Sequence, residues 1–383
     1  MRFNLTGPIS ALLLAGLAAC SPAPDVPATD FASLDTDIQA LMASEDVKGL
    51  AYAVIEHGEV AHVAAFGYRN VEAALPLETD TIMYGASLTK AAFAYMVMQL
   101  VDEGLIDLDA TIDTYLPRPL PEYEDWTSLA DDPEWQLLTP RMILTHSTGL
   151  ANLRFLEPDG LLDFHREPGT QYGYSGEGFY ILQLVLEEGL GLDVKAEMQT
   201  RVFDRFGMPD TSMQWRADFA DNLADGYAMD GTFEPHDRRD WVSASGSMDT
   251  TIADQARMWA GLVRGEGLSA EARAERIRPQ LAVHSGSQFP SLTETVDDRG
   301  PAIGLSAALG VETYQDGSGT WWSKSGHNPW TGNQAICHQE TQHCIVLLGN
   351  SVRAELIYPQ IVQLAMGTNP APWWWIQPEY SAH

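Results

Sequence analysis

Ser87-Leu88-Thr89-Lys90-Ala91-Ala92-Phe93-Ala94-Tyr95-Met96-Val97-Met98-Gln99-Leu100 is the stretch on which both fold and chemistry turn. The apolar run behind Lys90 predicts a helix buried on all sides. Ser87 and Lys90 are three apart, so one helix face carries both, ammonium beside hydroxyl. A serine is a weak nucleophile and needs a base nearby. A lysine becomes one when burial lowers its pKa, whereas an arginine cannot deprotonate. The chain holds only four lysines (Lys48, Lys90, Lys195, Lys324) among 22 basic residues, so a lysine opening a buried helix stands out. The plain alternative is an N-cap serine followed by a solvated lysine.

The chain has 383 residues, 45% hydrophobic, with 11 Trp, enough for one large core or two closely joined parts. Its formal net charge of −31 speaks against nucleic acid and anionic membrane surfaces as partners, since both need basic patches.

Arg2 precedes a short apolar run, Ala11–Leu17, which leads into Leu17-Ala18-Ala19-Cys20. This resembles the lipobox of bacterial lipoproteins. The resemblance implies a signal peptide over 1–19, a lipid on Cys20 and a Pro-rich tether over 20–33. The expected location is the periplasmic side of a bacterial outer membrane, reached by export and held by that lipid. An ordinary secretory signal ending at Ala18-Ala19 is the competing reading. Export permits disulfides. Cys337 and Cys344 flank His338-Gln339-Glu340-Thr341-Gln342-His343, and a hairpin there sets the two cysteines opposite one another. A Cys-His…His-Cys metal site is the alternative, disfavoured because alternating strand side chains do not point all four to one face.

Leu34, Ile38, Leu41 and Met42 stand at helical spacing. Strands are predicted at Leu50–Ile55 and Val60–Phe66, and again at 303–312, 319–325, 333–338 and 343–349. Between them lie helical runs at 177–188, 194–206 and 252–263. Residues 352–366 read as helical, with Pro359 beginning or kinking the helix. The expectation is an α+β fold: one antiparallel sheet flanked by helices, with an inserted, mostly helical subdomain. The α/β part covers about 34–90 and 245–366 and the helical part about 91–244. A Trp-rich tail over 367–383 carries Trp373-Trp374-Trp375, and nothing in the sequence says where it goes. A site is expected in the cleft between the two parts.

Acyl transfer by a Ser/Lys pair needs a proton shuttle, a second cation and oxyanion donors. Tyr172 and Tyr174 lie in a Pro-Gly turn, and a tyrosine between two ammonium groups has its pKa lowered. Trp321-Trp322-Ser323-Lys324-Ser325-Gly326-His327 reads as a strand carrying that second cation.

Ser87-x-x-Lys90, Tyr174-Ser175-Gly176 and Lys324-Ser325-Gly326 occur in that order. Together they resemble the three motifs of the serine β-lactamase and penicillin-binding-protein superfamily. The branch most similar is that of class C β-lactamases with their esterase and D-aminopeptidase relatives. Met142–Leu150, Phe203–Thr211 and Leu223–Tyr227 are similar to connecting family stretches, and the resemblance covers about 34–366. It implies a β-lactamase/transpeptidase-like fold and an acyl-enzyme on Ser87, activated by Lys90, with Tyr174 as general acid/base. Lys324, with Ser325 and Gly326, would orient the tyrosine and attract a substrate carboxylate. The backbone N–H groups of Ser87 and His327 would hold the oxyanion. No cofactor and no metal is implied. His146 matches a connector and reads as structural. Gly176 departs from the lactamase pattern, which has Asn there, and this favours esterase or D-peptide amidase chemistry on a small ester, amide or peptide-like substrate. A class C-like β-lactamase or DD-peptidase comes second. The rival from another class is a silent ligand-binding or sensor domain, against which the intact Ser87/Lys90/Tyr174/Lys324 set argues.

Overall fold

Strand β1 (Gly49–Glu56) is apolar on both faces. Ala51, Ala53 and Ile55 enter one core cluster, and Leu50, Tyr52 and Val54 enter another. That is the pattern of a strand covered on both sides. A turn at His57-Gly58 sends the chain back as β2 (Glu59–Asn70), followed by the short β3 (Leu75–Pro76). Two small pairs lie outside the main sheet: β4 (Met83–Tyr84) with β7 (Asp249–Thr250), and β5 (Gly226–Tyr227) with β6 (Phe233–Glu234). The chain then returns as β8 (Leu281–Ala282), β9 (Ser306–Ala307), β10 (Glu312–Asp316), β11 (Gly319–Asn328), β12 (Thr331–His338) and β13 (His343–Gly349). The main sheet has nine strands in the order β3-β2-β1-β13-β12-β11-β10-β9-β8, and its pairings are antiparallel. Early and late segments therefore meet at the β1–β13 seam. This is a computed structural model, and it describes Met1 and residues 29–378. The expected lipobox, Leu17–Cys20, and the first part of the tether lie outside the described residues.

Helix Leu88–Asp102 is buried at every position from Leu88 to Leu100, as its unbroken apolar sequence requires. It packs against one face of the sheet. Helices Phe31–Ser44 and Tyr358–Met366 pack against the other. Pro359 sits in the first turn of the latter, where its missing N–H costs nothing.

The single strand expected over 303–312 is two strands. Gly310 has φ 77°, and a Cβ there would stand 2.2 Å from the Ala94 Cβ. The glycine lets the chain turn tightly against the buried helix, so β9 and β10 form a hairpin. Cys337 and Cys344 are register partners in β12 and β13 and are joined by a disulfide.

The Trp-rich tail returns to the face opposite the buried helix. Trp375 is 1% exposed and shares a cluster with Tyr172, Tyr174 and Tyr358. Its indole N–H donates to Ser285 Oγ at 3.0 Å, and its carbonyl accepts from Gln288 N–H at 2.8 Å. The tail is thereby tied to the 284–300 loop.

Candidate active site

Ser87 closes the turn that opens the buried helix. The residue before it, Ala86, has φ 46°, a left-handed conformation that a non-glycine residue rarely adopts. Local bonds hold that turn: Leu88 N–H donates to Gly85 O, and Thr89 Oγ1 donates to Ala86 O. Such strain is characteristic of functional sites. Ser87 is half-buried, while the groups around it are closed off from solvent.

Lys90 Nζ donates to Ser87 Oγ at 3.1 Å and to the Ser245 carbonyl at 2.7 Å. Burial pushes the Lys90 pKa down, and the Lys324 charge adds to that effect. Tyr174 lies between the two lysines, with Lys90 Nζ 5.0 Å and Lys324 Nζ 4.8 Å from its ring centre. Burial alone would raise its phenol. Lys324, Lys90 and a hydrogen bond with Ser87 outweigh burial, and the phenol is held below its ordinary value. Lys324 itself is fully buried, yet Glu312 and Tyr174 oppose that desolvation and hold its ammonium above the usual value. The four side chains named in the sequence thus converge on one point.

Gly326 sets the distance between β11 and the Ser87 turn. A Cβ there would lie 2.7 Å from Gly85 O and 3.1 Å from Ser87 N. Only glycine allows that approach, which brings the backbone flanking His327 beside Ser87. The His327 imidazole Nδ1 contacts the buried Glu355 carboxylate at 2.9 Å. Ser325 Oγ donates to Gln288 Oε1 at 3.4 Å.

Several residues of this site carried no functional reading in the sequence. Ser245 supplies the carbonyl that holds Lys90; its only signal is a run of small residues, Ser243–Ser247. Glu312 is a buried carboxylate at the start of β10, and such a group needs partners. It accepts from Tyr172 O–H at 3.2 Å and from Gln288 Nε2 at 3.3 Å. Tyr172 is thereby structural: burial drives its phenol well above the ordinary value, and Glu312 adds to that. His146, expected in a connector, stacks on Tyr174 with ring centres 4.1 Å apart. Its Nδ1 accepts from Ser175 N–H, and burial together with Lys324 and Lys90 keeps the ring neutral. It fixes the plane of Tyr174.

Gly176 opens the helix Gly176–Leu184. A Cβ there would meet Asn152 O at 3.0 Å and Ser245 Oγ at 3.1 Å. A side chain there would need these neighbours to give by a few tenths of an ångström.

An antiparallel sheet with a serine and a lysine at the head of a buried helix beside β11 is the arrangement of a serine-type hydrolase. The chain belongs to the Beta-lactamase family, whose model matches residues 34–357. It is similar to the D-aminopeptidase of Gluconobacter oxydans, 25% identical over 350 residues, covering 89% of this chain and 63% of that protein. It is also similar to the lovastatin esterase of Penicillium rubens, 27% identical over 210 residues, covering 46% of this chain and 52% of that protein. The chain thus spans between half and two thirds of the length of these relatives. Among solved structures, the octameric penicillin-binding protein homologue from Pyrococcus abyssi superposes with a TM-score of 0.71. That match is at 21% identity over 89% of this chain and 78% of that one, and the likeness establishes the fold.

Proposed function

We propose that this protein is an exported, lipid-anchored serine hydrolase that forms an acyl-enzyme on Ser87 and cleaves a small ester or amide. The observation that carries this reading is the contact of Lys90 Nζ with Ser87 Oγ, with the lowered Tyr174 phenol set between Lys90 and Lys324.

Ser87 Oγ attacks the substrate carbonyl carbon while its proton passes to the Tyr174 phenolate, with Lys90 keeping Oγ in place and supporting that transfer. The carbonyl oxygen becomes an oxyanion held by the backbone N–H groups of Ser87 and His327. The bond to the leaving oxygen or nitrogen breaks as Tyr174 returns the proton to that atom. Water then attacks the Ser87 ester. Tyr174 takes the water proton and passes it to Ser87 Oγ, which releases the acid and restores the enzyme. Lys324 favours the ionised form of Tyr174 and attracts a substrate carboxylate. The export and lipid attachment rest on Leu17-Ala18-Ala19-Cys20.

Esters come before lactams in this reading because Gly176 offers no side-chain amide to fix a substrate amide. An ester has the better leaving group and tolerates a sparser set of contacts. The test pairs kcat/KM for nitrophenyl butyrate with kcat/KM for nitrocefin. Faster ester turnover is expected. Efficient nitrocefin hydrolysis would move the class C-like β-lactamase reading ahead.

A further inference from the structure

The mechanism above makes no use of the Trp-rich tail. Ile376 and Pro378 of that tail form, with Phe289, the apolar walls of a cavity of 140 Å³. Ser325 and His327 of β11 form the polar side, and Glu355 lies behind His327.

Two observations connect that cavity to Ser87. First, β10 pairs with β11 only as far as Glu312↔Ser323, whereas β11 runs on to Asn328. From Lys324 onward, β11 therefore runs past the end of its pairing with β10, and Gly326 carries it against the Ser87 turn. Second, the Phe289 ring both lines the cavity and stands 5.1 Å from the Tyr174 ring. Tyr174 is the group that returns a proton to the departing atom. Through Phe289 the cavity therefore borders the group that protonates the departing atom.

We propose that the C-terminal tail completes the substrate site, Ile376 and Pro378 forming with Phe289 a pocket for an apolar leaving group the size of a phenyl ring. The inference rests on the acyl-enzyme reading above. The size follows from volume: an apolar cavity of about 150 Å³ holds a benzene molecule. The tail is fixed well enough to act as a wall. Trp375 is tied to Ser285 and Gln288 and packs on Tyr172 with ring centres 5.5 Å apart. Ile376 is 7% exposed. Specificity for the leaving group is thus built by residues about 290 positions from the nucleophile in sequence.

The test compares methyl, benzyl and naphthylmethyl butyrate, whose alcohols have similar basicity, by pH-stat hydrolysis. Wild type should favour benzyl over methyl at least tenfold in kcat/KM, since one well-placed apolar group in a pocket is worth about that much. Ile376→Trp fills the cavity and should bring the benzyl-to-methyl ratio down about tenfold. Ile376→Ala enlarges it and should raise the naphthylmethyl-to-benzyl ratio. Should Ile376→Trp fail to fold, Phe289→Ala removes the opposite wall at a position 40% exposed, and the benzyl preference should fall there too. Benzyl and methyl esters hydrolysed equally well by wild type would overturn the proposal. So would ratios that stay constant in folded variants, or a shift confined to acyl-chain preference at fixed methyl alcohol. Fluorophosphonate labelling of Ser87, run alongside, separates the two claims. Absent labelling refutes the acyl-enzyme reading, and labelling with unchanged ratios refutes the pocket alone.

Discussion

Replacing Lys324 with methionine removes one of the two ammonium groups that hold the Tyr174 phenol low. Lys324 Nζ stands 4.8 Å from the ring centre. At an effective dielectric of about 20, a unit charge at that distance is worth about 3 kcal/mol to the phenolate. At 1.36 kcal/mol per unit, this is a pKa shift of about two units. The sign is upward: phenolate is the charged form, and losing a nearby cation disfavours it. The limb of the kcat/KM–pH profile that reports ionisation of Tyr174 should therefore move about two units toward alkaline pH. At neutral pH the rate should fall by up to about 100-fold and recover as pH rises. The buried Glu312 carboxylate loses its cation in this variant, so Lys324→Met/Glu312→Gln serves as the stability-matched partner. The assay is hydrolysis of nitrophenyl butyrate between about pH 6 and about pH 10 in wild type and both variants. A uniform loss at every pH, with no displacement of the limb, would refute the coupling of Lys324 to Tyr174 and leave it a substrate-binding group only.

Lys90→Arg should be nearly as damaging as Lys90→Ala, with losses in kcat of about 10² to 10⁴, because a longer, planar guanidinium cannot hold Ser87 Oγ and the Ser245 carbonyl as the Lys90 ammonium does. Wild-type kcat in Lys90→Arg would show that any cation at this position suffices and would remove the positioning role from Lys90. Gly176→Ala should lower stability by about 1 to 3 kcal/mol through overpacking against Asn152 and Ser245. An unchanged melting temperature would show that the loop yields freely. Cys20→Ser should release the protein from the membrane fraction or block its processing, read by fractionation and N-terminal mass. Membrane association that persists in Cys20→Ser would contradict lipid attachment there.

The sequence revealed the parts of this molecule whose causes are local. The buried helix behind Lys90 is written in its composition, since an unbroken apolar stretch with one basic residue at its start has few other homes. The β1–β2 hairpin was legible from two apolar runs, Leu50–Ile55 and Val60–Phe66, around a turn at His57-Gly58. The pairing of Ser87 with Lys90 follows from the helical repeat. Tyr174 and Lys324 could be tied to them only through motif resemblance, because 87 and 237 residues of chain separate them from Ser87. Glu312, Ser245 and Gln288 were hidden for the same reason: each acts through a tertiary contact that no local pattern announces. His146 was read as a connector, and its place against Tyr174 depends on how two turns stack. The 303–312 strand was overextended because the role of Gly310 is set by Ala94 on a distant helix. The tail was the least legible of all. Three tryptophans demand burial, but only the folded sheet determines which face receives them.

The most direct test of the account is the intact mass of the protein after exposure to a fluorophosphonate, followed by peptide mapping, in wild type and in Ser87→Ala. The account predicts one adduct on wild type, on the peptide containing Ser87, and none on a folded Ser87→Ala. An adduct on another residue, or ester turnover retained by Ser87→Ala, would contradict it.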